Sequence, residues 1–510
     1  MRLPSLGESA SDDLSVGAER RLGEQIMREG RRDPDYLDDP VLLAYVQRMW
    51  QSLLDAARAQ GNVEADIEQT FSWEIFLVRD RSVNAFALPG GYVGVHLGLI
   101  ALTTTPDQLA SVIAHELSHV TQRHIARSIA PQQRASMVAL AAMILGVIAA
   151  SRSNNADAAN AAIMGGQAVA AQGQLNFSRD VEREADRLGF GVLGAAGFNP
   201  NGMAAMFEKM DTATRLSDSG GFPYLRSHPL TVDRISEARN RTLLGSGPPS
   251  QPTVQHALMR ARARVLMDDA AQSLQRLNGE TSSPLLADRA EALYGGALAA
   301  SKLNDAARAE RLATETVRVV ALATPREPEA ERAAALLQAQ VRLTAADPAG
   351  AVAALDRLQP GGEGRPGMLL RARALLEMQR RAPARESAPL RESTEALQTW
   401  VAEHPQDATA WDLLAETSNA LGLNLRAMRA AAEARAVLGD LTGAIDRLRA
   451  AQQVSRSATG QDFIEASVID ARLRQFAAQR RQIALDARGG RASPNPVPGP
   501  GDGRDEPAPQ

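Results

Sequence analysis

The chain has 510 residues, of which 23% are charged, 4% are aromatic and none is cysteine, and its formal net charge is −4. That length allows two or three domains and at least one large core. Without cysteine there are no disulfides, thiolate nucleophiles or Cys-based zinc sites, and the near-balanced charge provides no global field to draw the chain to nucleic acid or to an anionic membrane.

The opening "MRLPSLGESASDDLSVG" is polar and lacks the apolar run of a secretory signal. It predicts either a cytosolic chain or a mature form whose leader is absent from this numbering. "SWEIFLV" (72–78) reads as a short buried strand. "NAFALPGGYVGVHLGLI", from Asn84, holds two apolar runs broken at Pro89-Gly90-Gly91, which predicts a hairpin turning at the glycines. Thr105-Pro106-Asp107-Gln108 then combines an N-cap Thr, Pro at the first helical position and a capping-box Gln. The helix is expected to run from Pro106 to about Ala130, where Pro131 removes a backbone donor.

That helix carries "LASVIAHELSHVTQRH" (109–124). Residues four apart on a helix differ by about 40° in azimuth, so His115 and His119 project from one face, close enough to share an ion. Glu116 sits about 100° round from His115, beside the pair, in the position of a base for an attacking water. His124 is about 140° from His119 on a continuous helix and receives no role. Met137–Ala150 follows as an apolar run, shorter than the roughly 20 residues that span a bilayer. It predicts a buried helix or, alternatively, a peripheral membrane or apolar-substrate contact. The larger segment Met137–Gln174, rich in Ala and Gly, is expected to be a mobile cover beside the site.

A zinc site needs a third protein ligand and an open position. "SRDVEREADRLG" (178–189) supplies candidates: Ser178 is a plausible N-cap, Val181, Ala185, Leu188 and Val192 form an apolar stripe, and Glu182 and Asp186 make an i,i+4 carboxylate pair beside it. One carboxylate can complete the metal shell while the other orients a ligating imidazole. Two histidines and a carboxylate suit one zinc ion per chain, although cobalt or manganese fits such a donor set too. His228, on a loop stiffened by Pro229, is a candidate either to block the open position or to donate to an oxyanion.

From about residue 255 to 488 the pattern becomes Ala/Leu/Arg helices with short breaks. Leu421-Gly422 before Ala427 and Leu438-Gly439 before Ala444 repeat at a spacing of 17, half the roughly 34-residue tetratricopeptide period. Trp411, Leu414, Ala427 and Ala434 fall at the offsets for bulky and small residues, and weaker copies occur at 292–313 and 333–358. The end, from residue 489, is Pro/Gly-rich and polar, the composition of a disordered tail.

"VIAHELSHVTQRH" followed by "FSRDVEREADRLG" resembles the HtpX/BepA family of zinc metallopeptidases, a gluzincin group related to the CAAX-prenyl proteases. The resemblance runs from Ser15 to about Leu244 and takes in "NAFALPGG" before the first motif and "SHPLTVDRI" after the second. It implies that Glu182, not Glu184, is the third ligand and that Asp186 is the carboxylate behind a ligating imidazole. A protease region joined to C-terminal tetratricopeptide repeats is most similar to the BepA-type branch, which is periplasmic and acts in quality control of outer-membrane β-barrel assembly. HtpX proteins carry transmembrane helices; this sequence shows none.

The expected architecture is therefore mainly α. An N-terminal segment (1–14) precedes a gluzincin-type α+β metallopeptidase domain with a small β-hairpin or sheet (15–245). An α-solenoid of degenerate tetratricopeptide repeats (255–488) and the tail (489–510) follow. The expected function is a zinc-dependent endopeptidase, periplasmic or alternatively cytoplasmic, acting on protein substrates such as misassembled outer-membrane proteins or on their assembly machinery. Glu116 relays the proton of the attacking water, and Asn84, Ala85 and Phe86 offer a strand edge to an extended substrate. The alternative is a chaperone or scaffold with a vestigial metal site.

Overall fold

The computed structural model describes residues 14–128, 141, 178–215, 222–244, 250–268, 283–358, 364–382, 387–455 and 461–489. The expected cover Met137–Gln174 (Ala141 apart), the membrane contact expected within it and the tail from residue 490 lie outside the described residues.

The N-terminal part holds α1 (Val16–Gly30), β1 (Tyr36–Leu37), α2 (Pro40–Ala59), α3 (Ala65–Thr70), β2 (Glu74–Val78), β3 (Ala85–Leu88), β4 (Tyr92–His96), α4 (Leu97–Leu102), α5 (Pro106–Thr121) and α6 (His124–Ser128). Then come α7 (Arg179–Ala195), α8 (Asn201–Arg215), α9 (Tyr224–Ser227) and α10 (Val232–Leu244). The four strands form one sheet in the order β1-β2-β4-β3, with β2 and β4 parallel and β3 antiparallel to β4. The expected hairpin is present: Leu88 pairs with Tyr92 across the Pro89–Gly91 turn, and Gly90 and Gly91 take φ of +78° and +92°, a region open to glycine but costly for other residues.

Helix α5 is the centre of this part, and every residue from Asp107 to Thr121 is buried. Its start is as expected: Gln108 N donates to Thr105 Oγ1 at 3.3 Å. The Gln108 side chain reaches back to Thr104, whose backbone N donates to Oε1 at 2.8 Å. Its end is not. The helix stops at Thr121, well short of Ala130, because Arg123 adopts φ +52° and starts a new helix at His124. That left-handed conformation is unfavourable for a non-glycine residue, and it is held by a salt bridge from Arg123 Nε to Glu19 Oε2 at 2.8 Å and by donation from Arg123 to the Leu14 carbonyl.

Helix α7 packs on α5 at Gly189, where a Cβ would stand 3.2 Å from the backbone of Ala114 and His115. The buried stripe of α7 is Glu182, Ala185, Asp186, Gly189, Val192 and Leu193. Relative to the expected apolar stripe it is rotated so that both carboxylates lie inside it, because each finds charged partners there.

The described residues that remain are mainly helical: α11 (Val254–Leu266), α12 (Leu286–Lys302), α13 (Ala306–Val320), α14 (Pro328–Thr344), α15 (Pro348–Leu355), α16 (Gly364–Arg381), α17 (Ala388–Glu403), α18 (Ala408–Ala420), α19 (Asn424–Val437), α20 (Leu441–Ser455) and α21 (Gln461–Gly489). From α12 onward each helix packs on the next. The 17-residue spacing corresponds to one helix and its turn, with Gly422 and Gly439 at φ +73° and +82° after α18 and α19. Arginine–carboxylate pairs are among the polar contacts that tie these helices to the N-terminal part. Arg365 pairs with Asp38 and Asp407. Arg262 on α11 binds Asp39 in two-pronged fashion at 2.6 and 2.7 Å, while Asp39 also caps α2 by accepting from Leu42 N.

Asp39 is 7% exposed, so Arg262→Ala leaves a buried carboxylate without its cation. We expect a loss of about 3–5 kcal/mol, seen as a clear fall in melting temperature of the full chain. Unchanged melting would show that water reaches Asp39.

Candidate metal centre

Helix α5 delivers His115, Glu116 and His119, α7 delivers Glu182 and Asp186, and the residue that follows α9 is His228. One ligand atom from each of His115, His119, Glu182 and His228 lies within 4.8 Å of the others, and all four residues are buried. The Nε2 atoms of His115 and His119 are 3.0 Å apart. His228 Nδ1 is 2.8 Å from Glu182 Oε1 and 3.3 Å from His115 Nε2. Zinc holds its nitrogen ligands at about 2.0–2.1 Å, so imidazole nitrogens this close suit a single ion.

Glu116 stands beside this group. Both carboxylate oxygens are buried without a hydrogen-bond partner among the described residues, and Oε1 is 3.5 Å from His228 Nε2. A buried carboxylate is costly unless something pairs with it, so its position suits a group that works on a proton brought by the reactants.

Behind the ligands, His115 Nδ1 lies 2.9 Å from Asp186 Oδ1. Donation from that nitrogen leaves the Nε2 lone pair facing the cluster. Asp186 is gripped in turn by Arg234 on α10, through Nε at 2.7 Å and Nη2 at 2.9 Å. Arg234 Nη1 also reaches Glu182 Oε2 at 2.7 Å and donates to the Pro229 carbonyl at 2.9 Å. One guanidinium thus ties Glu182 and Asp186 to the loop that carries His228. Tyr224 stacks on His228 with ring centroids 4.7 Å apart.

The charges are strongly coupled. Burial disfavours a charged imidazole at His115, but Asp186 and Glu182 more than offset it and raise its pKa to about 10. Burial, reinforced by the charges of His115 and His228, drives His119 well below the usual range. Burial alone would favour neutral Glu182 and Asp186. His228, with hydrogen bonds from His115 and His119, keeps Glu182 ionised far below the usual carboxylate range, while His115 and Arg234 hold Asp186 at about 2. A divalent cation bound by these donors supplies the positive charge that protonation of His115 otherwise brings. The residues present fit zinc.

The sequence pattern named His115, Glu116, His119, Glu182, Asp186 and His228, and the fold brings them together. It did not single out Arg234 or Tyr224; an arginine six residues after His228 reads as an exposed helical charge until its acidic partners are known. His124, given no role on a continuous helix, lies with its Nδ1 2.9 Å from His119 Nδ1. Asn84 immediately precedes β3 and Ala85 and Phe86 open it; β3 packs on α5 and ends the sheet, so its outer side has no partner strand among the described residues. A separate cleft of about 880 Å³, lined by Tyr45, Arg48, Thr253, Leu285, Pro325 and Glu327 among others, includes none of the metal-centre residues.

Residues 44–242 match the model of peptidase family M48. The β-barrel assembly-enhancing protease of Escherichia coli K12 is 30% identical over 450 residues, 88% of this chain and 86% of that protein. This chain belongs to peptidase family M48. It is a zinc metalloprotease of that family, and its buried His-His-Glu-His group can hold the metal. A Vibrio cholerae relative is 35% identical over 330 residues, 62% of this chain and 64% of that protein, so this match spans just under two thirds of the relative's length. The mitochondrial metalloendopeptidase OMA1 of Schizosaccharomyces pombe is 30% identical over 230 residues, 44% of this chain and 61% of that protein.

Zinc held by this group is expected to depend on His115, which lies at the junction of three of its contacts. His115→Ala should purify without stoichiometric zinc, measured by elemental analysis of the folded protein; full occupancy would exclude His115 as a ligand.

Proposed function

We propose that this M48 peptidase is an endopeptidase acting in the quality control of outer-membrane protein assembly, with His115, His119 and Glu182 as zinc ligands and Glu116 as general base. The buried carboxylate of Glu116, without a hydrogen-bond partner among the described residues and beside the four-donor group, carries this reading. His115, His119 and Glu182 would hold the zinc, which would supply Lewis acidity to the scissile carbonyl and to the attacking water. Glu116 accepts a proton from that water and delivers it to the departing amine. Asp186 and Arg234 keep the ligands oriented, and the outer edge of β3 at Asn84–Phe86 holds an extended peptide by strand addition.

His228 is the latch of the resting enzyme. Its contacts to Glu182, His115 and Glu116 hold it against both a ligand pair and the general base, which supports that reading. Movement of the Ser227–Pro229 loop, against the Arg234 contact and the Tyr224 stack, frees the open position.

The assignment to outer-membrane assembly rests on the names of the relatives that match most of the chain. The compartment consistent with it is the periplasm, and no described helix is long and apolar enough to cross a membrane. We assign peptidase chemistry to residues 15–245 and recruitment of clients or partners to a tetratricopeptide-like array over 255–488, whose glycine-ended helices and successive packing support that reading.

Glu116→Gln should lower casein cleavage by at least about 10²-fold while the protein still captures its clients. Loss of both would point to a collapsed fold, and retained cleavage would remove Glu116 from the mechanism. His228→Ala should raise basal cleavage in the same assay; a slower enzyme would make His228 an oxyanion donor, and no change would leave it a loop residue.

A further inference from the structure

The two α5 histidines are supported from behind in different ways. His115 has the carboxylate of Asp186, an obligate acceptor once ionised. His119 has an imidazole, His124, with Nδ1 facing Nδ1 at 2.9 Å, and His124 Nε2 lies 3.1 Å from Glu184 Oε2. Two imidazole nitrogens facing each other at that distance need one donor and one acceptor. For His119 to present the Nε2 lone pair, its proton must sit on Nδ1, so His124 Nδ1 must be the acceptor. His124 then carries its proton on Nε2, where the Glu184 carboxylate, which can only accept, receives it.

We propose that His124 and Glu184 are positioning residues for the metal site, setting the tautomer of His119 through a directional chain from His119 Nδ1–H to His124 and from His124 Nε2–H to Glu184. The inference rests on the assignment of His119 as a zinc ligand. Reversing the chain at either link would put a donor against His119 Nδ1 and move the His119 proton to Nε2, the atom that faces the metal group.

The backbone is built to deliver this contact. On an uninterrupted helix His124 would point about 140° away from His119. The left-handed residue Arg123, tied to Glu19 and the Leu14 carbonyl, turns the chain so that His124 opens α6 and returns to its neighbour. The two rings meet with centroids 4.9 Å apart and an interplanar angle of 75°. His124 is 2% exposed, and the Glu184 side chain 34%, so the chain runs from the buried metal group to the surface of α7.

The test uses the full chain, stripped of metal and titrated with zinc against a competing chelator. His124→Leu should raise the zinc Kd by about 10–100-fold with little change in the melting temperature of the metal-free protein. His124→Asn, whose Oδ1 can stand where Nδ1 stood and accept from His119, should recover most of that loss. Glu184→Ala, at a partly exposed position, should raise the Kd by a smaller factor, since water that replaces the carboxylate can donate as well as accept. Unchanged affinity in folded His124→Leu, or an Asn variant no better than Leu, would overturn the proposal. If the Leu variant does not fold, unchanged affinity in Glu184→Ala does so. Wild-type protein that holds no zinc, or His115→Ala that keeps it, would instead overturn the ligand assignment.

Discussion

The carboxylate of Asp186 is the constraint on which the metal group depends. It is almost fully buried, where an ionised group is tolerated only with close partners. Those partners are the imidazole of His115 on one side and the guanidinium of Arg234 on the other. Because the three residues come from α5, α7 and α10, pairing the charge also aligns the helices. The same guanidinium reaches Glu182 and the Pro229 carbonyl, so ligand orientation and the position of the His228 loop are set by one cation.

Packing around that cation leaves little slack. Helix α5 is buried on all sides, and α7 approaches its backbone at a glycine, where a larger residue would push Glu182 and Asp186 away from the histidines. Rigid support of this kind is what a zinc site needs, since ligands on helices hold their geometry better than ligands on loops. His228 is the exception. It follows the short helix α9 and owes its place to a stacked tyrosine and contacts within the cluster rather than to a long element of its own. The one cluster donor carried by a loop is thus the one assigned to move.

The helical second half is joined to the first by buried or partly buried arginine–carboxylate pairs, at Arg262–Asp39 and Arg365–Asp38–Asp407. Asp39 also caps α2. A contact between distant parts of the chain therefore doubles as a local helix signal, which couples the folding of α2 to the docking of α11.

The sequence by itself determined the elements whose cause is local. Proline, glycine and cap residues marked the hairpin and the start of α5, and the i,i+4 spacing placed His115 and His119 on one face whatever the surroundings. The spacing of 17 marked helix-turn units for the same reason. Glu182 and Asp186 were recognisable as a pair, but only the resemblance ordered their roles. Tertiary structure decided what depends on groups distant in the chain. Arg123 leaves the helical region because Glu19 and the Leu14 carbonyl hold it, so α5 ends early and His124 turns back to His119. Arg234 becomes a buried clamp because two carboxylates from another helix meet it. The buried face of α7 keeps Ala185 and Val192 of its apolar stripe but turns to take in Glu182 and Asp186, because the partners those carboxylates meet inside the protein offset the cost of burying them.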